Sequence, residues 1–226
     1  VIEAMNEQLV NFSEVLKDLG VEIPEIEAPT TPPPPETPEI SKLQEIYNQI
    51  NSMTLPNHQK YSILASIECT IESLTINPQF ITKNYKEIQS MVQSKFPIKV
   101  ECLDQNYYTV SKDTMAKFLS ATMSSKLKYL NDRFDCDNFA SYVSSFMALE
   151  YGINTVGECF VGLVAYGEFF VKVLGLHACN MVVLPIDVQL YEPQLNRFLQ
   201  GNTLPLKDKQ GRTVNIYYLP MQVVFG

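Results

Sequence analysis

The sequence predicts an α+β fold, on three observations. Residues 41–96 carry apolar side chains at helical spacing, with prolines at the breaks. Beyond a longer helical run that Gly152 ends, the chain turns to Val-, Tyr- and Phe-rich runs separated by glycine or proline. Helices first and antiparallel-type strands afterwards are the pattern of helices packed to one side of a sheet. No internal repeat is present.

Residues 1–20 have apolar residues at Ile2, Met5, Leu9, Phe12, Leu16 and Leu19, spaced 3, 4, 3, 4, 3. That is a single apolar seam on an amphipathic helix, which Gly20 would end. The seam suits either packing on the chain's own domain or a docking, oligomerising role. Residues 21–40 hold seven of the fourteen prolines, including "TPPPPETP". Such a stretch favours extended polyproline II and reads as a linker. Ser41 is placed to cap a helix carrying Leu43, Ile46, Tyr47, Ile50 and Met53, which Pro56 breaks. His58, in the turn after Pro56, reads as solvated. Tyr61, Leu64, Ile67, Ile71 and Leu74 form the next apolar face, and Asn77-Pro78 opens a third segment with Ile81, Tyr85, Ile88 and Val92. A short helix after Ser111 and another over 124–130 precede a longer one from about Asp137 to Glu150. Strands follow in "CFVGLVAY", "FFVKVLG", "ACNMVVL", "VQLYE" and "VNIYYLPMQVVF". The organisation is thus a docking helix (1–20), an acidic proline-rich linker (21–40), a helical subdomain (41–96) and an α+β domain (97–226).

Charge narrows the partners. The net charge of −8 lies entirely in the first forty residues, because the other 186 hold sixteen bases and sixteen acids. No basic surface is available for a phosphate backbone, so nucleic acid is not an expected partner. No apolar run approaches the roughly 18–20 residues that span a bilayer, so a membrane is not expected either. The expected partners are proteins, engaged through residues 1–40 in a homo- or hetero-oligomeric assembly. The five cysteines (69, 102, 136, 159, 179) are odd in number and include no CxxC pair. They read as free thiols of a reducing compartment.

One cysteine stands out, in "RFDCDNFA". Cys136 falls where a helix should begin, with Asp135 suited to the N-cap and Asp137 to the first turn. A helix N-terminus favours a thiolate through its unpaired N–H groups and dipole. The candidate base is His177 in "LGLHACN", one of only two histidines, at the start of a strand-like run. Glu192 in "LYEPQ" lies at the end of the next strand, where a carboxylate would orient an imidazole. Cysteine at a helix start, histidine 41 residues on and an acid 15 further is a nucleophile–base–orienter order. By strand alternation Cys179 shares the face of His177 and reads as a core filler.

Together, "FDCDNFA", "HACN" and "YEPQ" resemble a papain-like cysteine peptidase family of phage and bacterial proteins. That family is related to the C-terminal protease domain of a mushroom agglutinin of the Marasmius type, and it is similar to bacterial transglutaminase-like cysteine peptidases. The resemblance covers roughly residues 105–200. It implies a papain-like domain, with Cys136 as nucleophile, His177 as base and Glu192 as its orienting acid. Papain-like enzymes take an oxyanion-hole glutamine from upstream of the cysteine. Here Gln105 is far upstream, Asn131 is the nearer amide, and the backbone N–H of Cys136 is the other donor. Asn180 is a hydrogen-bonding residue behind His177. The resemblance requires no cofactor but admits calcium, with Asp135 and Asp137 as ligands.

Two functions follow as expectations. One is a cysteine hydrolase, a peptidase or amidase, carried in a larger phage or viral assembly. The other is an idle papain-like scaffold serving as a structural or docking component of a virion or other multi-subunit assembly.

Overall fold

The computed structural model describes residues 16–21, 38–130, 134–168 and 170–226. Most of residues 1–20, and positions 22–37 of the proline-rich linker, lie outside these. Helices come first: α1 (Pro38–Ser52), α2 (Asn57–Thr75), then a short strand β1 (Ile81–Asn84) and α3 (Tyr85–Lys95). Strands β2 (Lys99–Cys102) and β3 (Asn106–Thr109) precede α4 (Lys112–Ala121), a 3-10 turn (Ser124–Lys126) and α5 (Cys136–Tyr151). The rest is sheet: β4 (Val156–Gly167), β5 (Phe170–Val183), β6 (Val188–Glu192), a 3-10 turn (Pro193–Leu195), β7 (Arg197–Phe198), β8 (Thr203–Lys207) and β9 (Thr213–Phe225). The α+β reading therefore holds, with helices followed by a mostly antiparallel sheet.

Local sequence explains the helix ends. The first helix opens on Pro38 and not at Ser41, because proline at the first helical position needs no N–H partner. Asn84 and Glu87 form a capping box, with Asn84 Oδ1 accepting the Glu87 N–H and Glu87 Oε2 accepting the Asn84 N–H. That box begins α3 at Tyr85, so Ile81 falls in a strand instead. Ser111 caps α4 by accepting the Thr114 N–H. Gly152 ends α5 with φ +66°, a left-handed turn open to glycine. His58 is not simply solvated: its ring meets the edge of Phe134 at 4.5 Å, and its Nε2 is buried.

The main sheet runs β2-β9-β4-β5-β6-β7, with β8 also paired to β9. All pairs are antiparallel except β2 with β9. The runs "FFVKVLG" and "ACNMVVL" join into one strand, β5. Gly175, at φ 134°, sits at a register shift against β4, so the chain bends there without ending. His177 consequently lies inside a long strand and not at the start of one.

The inner face of the sheet buries Cys159, Val161, Leu163, Cys179, Met181, Ile216 and Tyr218. This core is completed by Ile88 and Val92 of α3. The other face packs on the helices. There Phe118 and Leu119 of α4 and Val143 and Met147 of α5 meet Val156, Val182 and Leu184. Between α5 and the sheet is a small contact of Cys136, Ala140, Phe160 and Ala178. Two alanines in that contact let the helix approach the strands closely.

The end of the N-terminal segment belongs to the inner core. Leu16 is fully buried and Val21 is 5% exposed. Val21 bridges Asp208, and the Lys209 N–H donates to the Gly20 carbonyl. Leu16→Ala is therefore expected to cost about 2–5 kcal/mol in urea unfolding. Leu149→Ala, at an exposed position on α5, should stay within about 0.5 kcal/mol. An equal, small effect at both sites would mean that Leu16 is not part of the core.

Candidate active site

Cys136 is the first residue of α5. Asn138 Oδ1 accepts the Asp135 N–H at 3.2 Å, and the Asp135 side chain caps the helix in return. The helix start is thereby fixed one residue before Cys136. The first N–H groups of any helix lack intrahelical acceptors, so the sulfur stands in a field of unpaired donors.

Three strands bring the remaining groups together. His177 Nε2 lies 2.8 Å from Glu192 Oε2, and both side chains are fully buried. Cys136 is also fully buried and acts on the His177 imidazole, raising its proton affinity. Glu192 has two further donors: the Tyr218 hydroxyl at 2.9 Å on Oε2, and the Gln194 N–H at 3.1 Å on Oε1. The Tyr218 ring also meets the His177 ring edge-on at 5.9 Å.

The "EPQ" sequence explains the carboxylate's position. Glu192 ends β6 and caps the 3-10 turn that Pro193 begins. One oxygen is used as the cap, and the other is left for the imidazole. Ser124 Oγ anchors the turn by donating to the Pro193 carbonyl at 2.7 Å.

The electrostatics follow from burial and neighbours. Burial alone would lower the proton affinity of the His177 imidazole. The Glu192 carboxylate, with Cys136 adding to it, outweighs burial and pushes the value up to about 10. Burial pushes the Tyr218 hydroxyl well above its ordinary range, and the Glu192 charge adds to this. Cys179 is also raised, first by burial and then by Cys159, its direct partner across β4 and β5. Cys179 shares the inner-face core. All five cysteines are free thiols.

The other sequence-derived candidates take different places. Asn131 lies outside the described residues. Asn180 donates to the Ala140 carbonyl of α5 at 2.9 Å, so it ties the helix to β5. The Asp137 charge acts on Glu158 of β4, whose carboxyl is raised mainly by burial, with Asp137 adding to it and Ser141 opposing it. Asp137 Oδ1 is buried without a hydrogen bond. Among the described residues, no group of three or more His, Cys, Asp or Glu side chains is arranged to hold a metal ion. Two carboxylates fall short of the six to eight oxygens calcium takes. The described residues therefore do not make up a calcium ligand set.

Glu158 and Tyr218 were missed by sequence reasoning. Tyr218 sits in an ordinary strand alternation, and only the register of β9 against β4, with Tyr218 opposite Leu163, carries it towards Glu192.

No family model matches the chain, and no curated protein matches it. Among solved structures, the chain is similar to a PSL1a–E64 complex, with TM-score 0.46 and 16% identity over 64% of this chain and 51% of that one. It is also similar to Polyporus squamosus lectin bound to a human-type influenza-binding epitope, with TM-score 0.47 and 17% identity over 64% and 49%. The chain thus spans about half the length of each.

The histidine electrostatics can be read directly, because the chain has only His58 and His177. Ring-labelled NMR should show His177 as imidazolium at pH 7–8, titrating only as pH approaches about 10. Its stabilisation of the fold is full below the unfolded value of about 6.5 and is lost as pH rises through that upper range. Glu192→Gln should bring the titration down. A neutral His177 ring at pH 7 in the wild type would contradict the assignment.

Proposed function

We propose that the chain is a papain-like cysteine hydrolase acting on amide bonds, a peptidase or amidase with Cys136, His177 and Glu192 as its triad. The observation that carries this reading is the convergence of the three residues from α5, β5 and β6, with His177 bonded to Glu192 and acted on by Cys136. In this reading the Cys136 thiolate attacks the carbonyl carbon and His177 holds the thiol proton as imidazolium. The C–N bond then breaks as His177 gives that proton to the leaving amine, leaving a thioester on Cys136. Water, deprotonated by His177, attacks the thioester and releases the acid. The Cys136 N–H, at the helix start, is placed to donate to the oxyanion. Glu192 keeps the ring oriented and compensates its charge throughout.

A second reading, the idle scaffold of a virion or other assembly, is favoured by a different observation. Cys136, His177 and Glu192 are each 0% exposed. A substrate would reach them only after movement of what covers them. The heptad seam of residues 1–20 supports protein docking in such an assembly. Its buried C-terminal end, Leu16 to Val21, supports intramolecular packing there.

A peptidyl epoxide and intact-protein mass spectrometry separate the two. The hydrolase should take one label, on Cys136, and lose it in Cys136→Ala and largely in His177→Gln. Cys102, the only half-buried thiol, serves as the internal reference for nonspecific reaction. Labelling at Cys102 alone would sink the hydrolase reading.

A further inference from the structure

We propose that Tyr218 is a positioning residue of this site, acting on His177 through Glu192. The inference rests on the hydrolase reading above and adds a fourth residue to it.

A tyrosine in a strand core is ordinarily an apolar filler, and phenylalanine would fill the same volume. A buried hydroxyl is costly unless it is bonded. Tyr218 is fully buried and donates to Glu192 Oε2, the same oxygen that meets His177 Nε2. With the Gln194 N–H on Oε1, donors reach the carboxylate from β5, β9 and the turn after β6. Ionised carboxylates accept only, and three donors from separate elements fix both the plane and the direction of this one. The two bonds on Oε2 matter most, because that oxygen aims the His177 ring. Without the hydroxyl, Oε2 keeps His177 alone and Glu192 can turn about its cap. The imidazolium, and with it the Cys136 thiolate, would then be held less firmly. The titratable groups around this centre are Glu192 on β6, His177 and Cys179 on β5, Cys159 on β4 and Cys136 on α5. Tyr218 bonds the carboxylate directly and meets the His177 ring edge-on.

The test is the pH profile of Cys136 alkylation by iodoacetamide, followed at the Cys136 peptide by mass spectrometry. Tyr218→Phe should slow alkylation about tenfold at pH 6–7, with the reactive limb moved up by about one pH unit. Glu192→Gln should do at least as much, and adding Tyr218→Phe to it should change the rate less than about twofold, since both act through one carboxylate. Profiles that superpose for wild type and Tyr218→Phe overturn the proposal, as do effects that multiply in the double variant. If His177→Gln alters the profile and Tyr218→Phe does not, this assignment fails alone. If neither alters it, the hydrolase reading fails as well. Should Tyr218→Phe not fold, Tyr218→3-fluorotyrosine keeps the volume and strengthens the donor. It should move the limb down, and an unmoved limb overturns the proposal.

Discussion

The structure turns on one buried contact, His177 against Glu192, with neither side chain reaching solvent. Taking a carboxylate and an imidazole out of water costs several kcal/mol for each charged group unless partners replace the lost hydration. Here each polar atom of the carboxylate has a donor, and those donors come from strands far apart in sequence. The contact therefore fixes the sheet as much as the sheet fixes the contact. Tyr218 lies on β9, His177 on β5, and β4 runs between them. A one-residue slip of either outer strand would turn its side chain to the opposite face and leave Glu192 short of a donor. The long pairings of β4 with β5 and with β9 resist such a slip along their whole length.

The cysteine reaches this contact from the helical side, and the fit depends on small groups. Ala140 and Ala178 lie between α5 and β5, and Asn180 donates across the gap to the Ala140 carbonyl. That bond is made one turn after Cys136, so it sets the height of the helix start over the strand. His177 and Asn180 project from opposite faces of β5 by simple alternation. One strand thus carries His177 on one face and docks the helix that begins with Cys136 through Asn180 on the other. A larger side chain at position 140 or 178 would lift the helix and separate sulfur from imidazole without touching either.

Much of this was legible in the sequence, for physical reasons. The apolar spacing of α5, its Asp135 cap and its Gly152 stop are local signals, and the helix occupies the expected span. The strand runs that became β4, β6 and β9 are long enough to carry their own β pattern. Cys136, His177 and Glu192 were named from their order and context, and the fold brings them together. What was not legible depends on partners distant in sequence. Strands β1, β2 and β3 are four residues each, too short for an alternation to stand out, and they exist because of what they pair with. The break expected between "FFVKVLG" and "ACNMVVL" was read from a glycine that in fact bends a continuous strand. Tyr218 carried no local mark at all, because its role is set by register across two strand pairs.

The two aspartates beside Cys136 pose the strongest electrostatic objection to a thiolate there, since like charges nearby hold a thiol protonated. Asp135 is the N-cap, and its side chain is turned to the helix backbone in a capping box with Asn138. Asp137 lies near enough to Glu158 of β4 for its charge to act on that carboxyl. Burial and the Asp137 charge raise the Glu158 carboxyl, so Glu158 gives up its proton less readily than an exposed glutamate. The opposite influence comes from His177, 41 residues away in sequence, whose proton affinity the Glu192 carboxylate raises against the effect of burial.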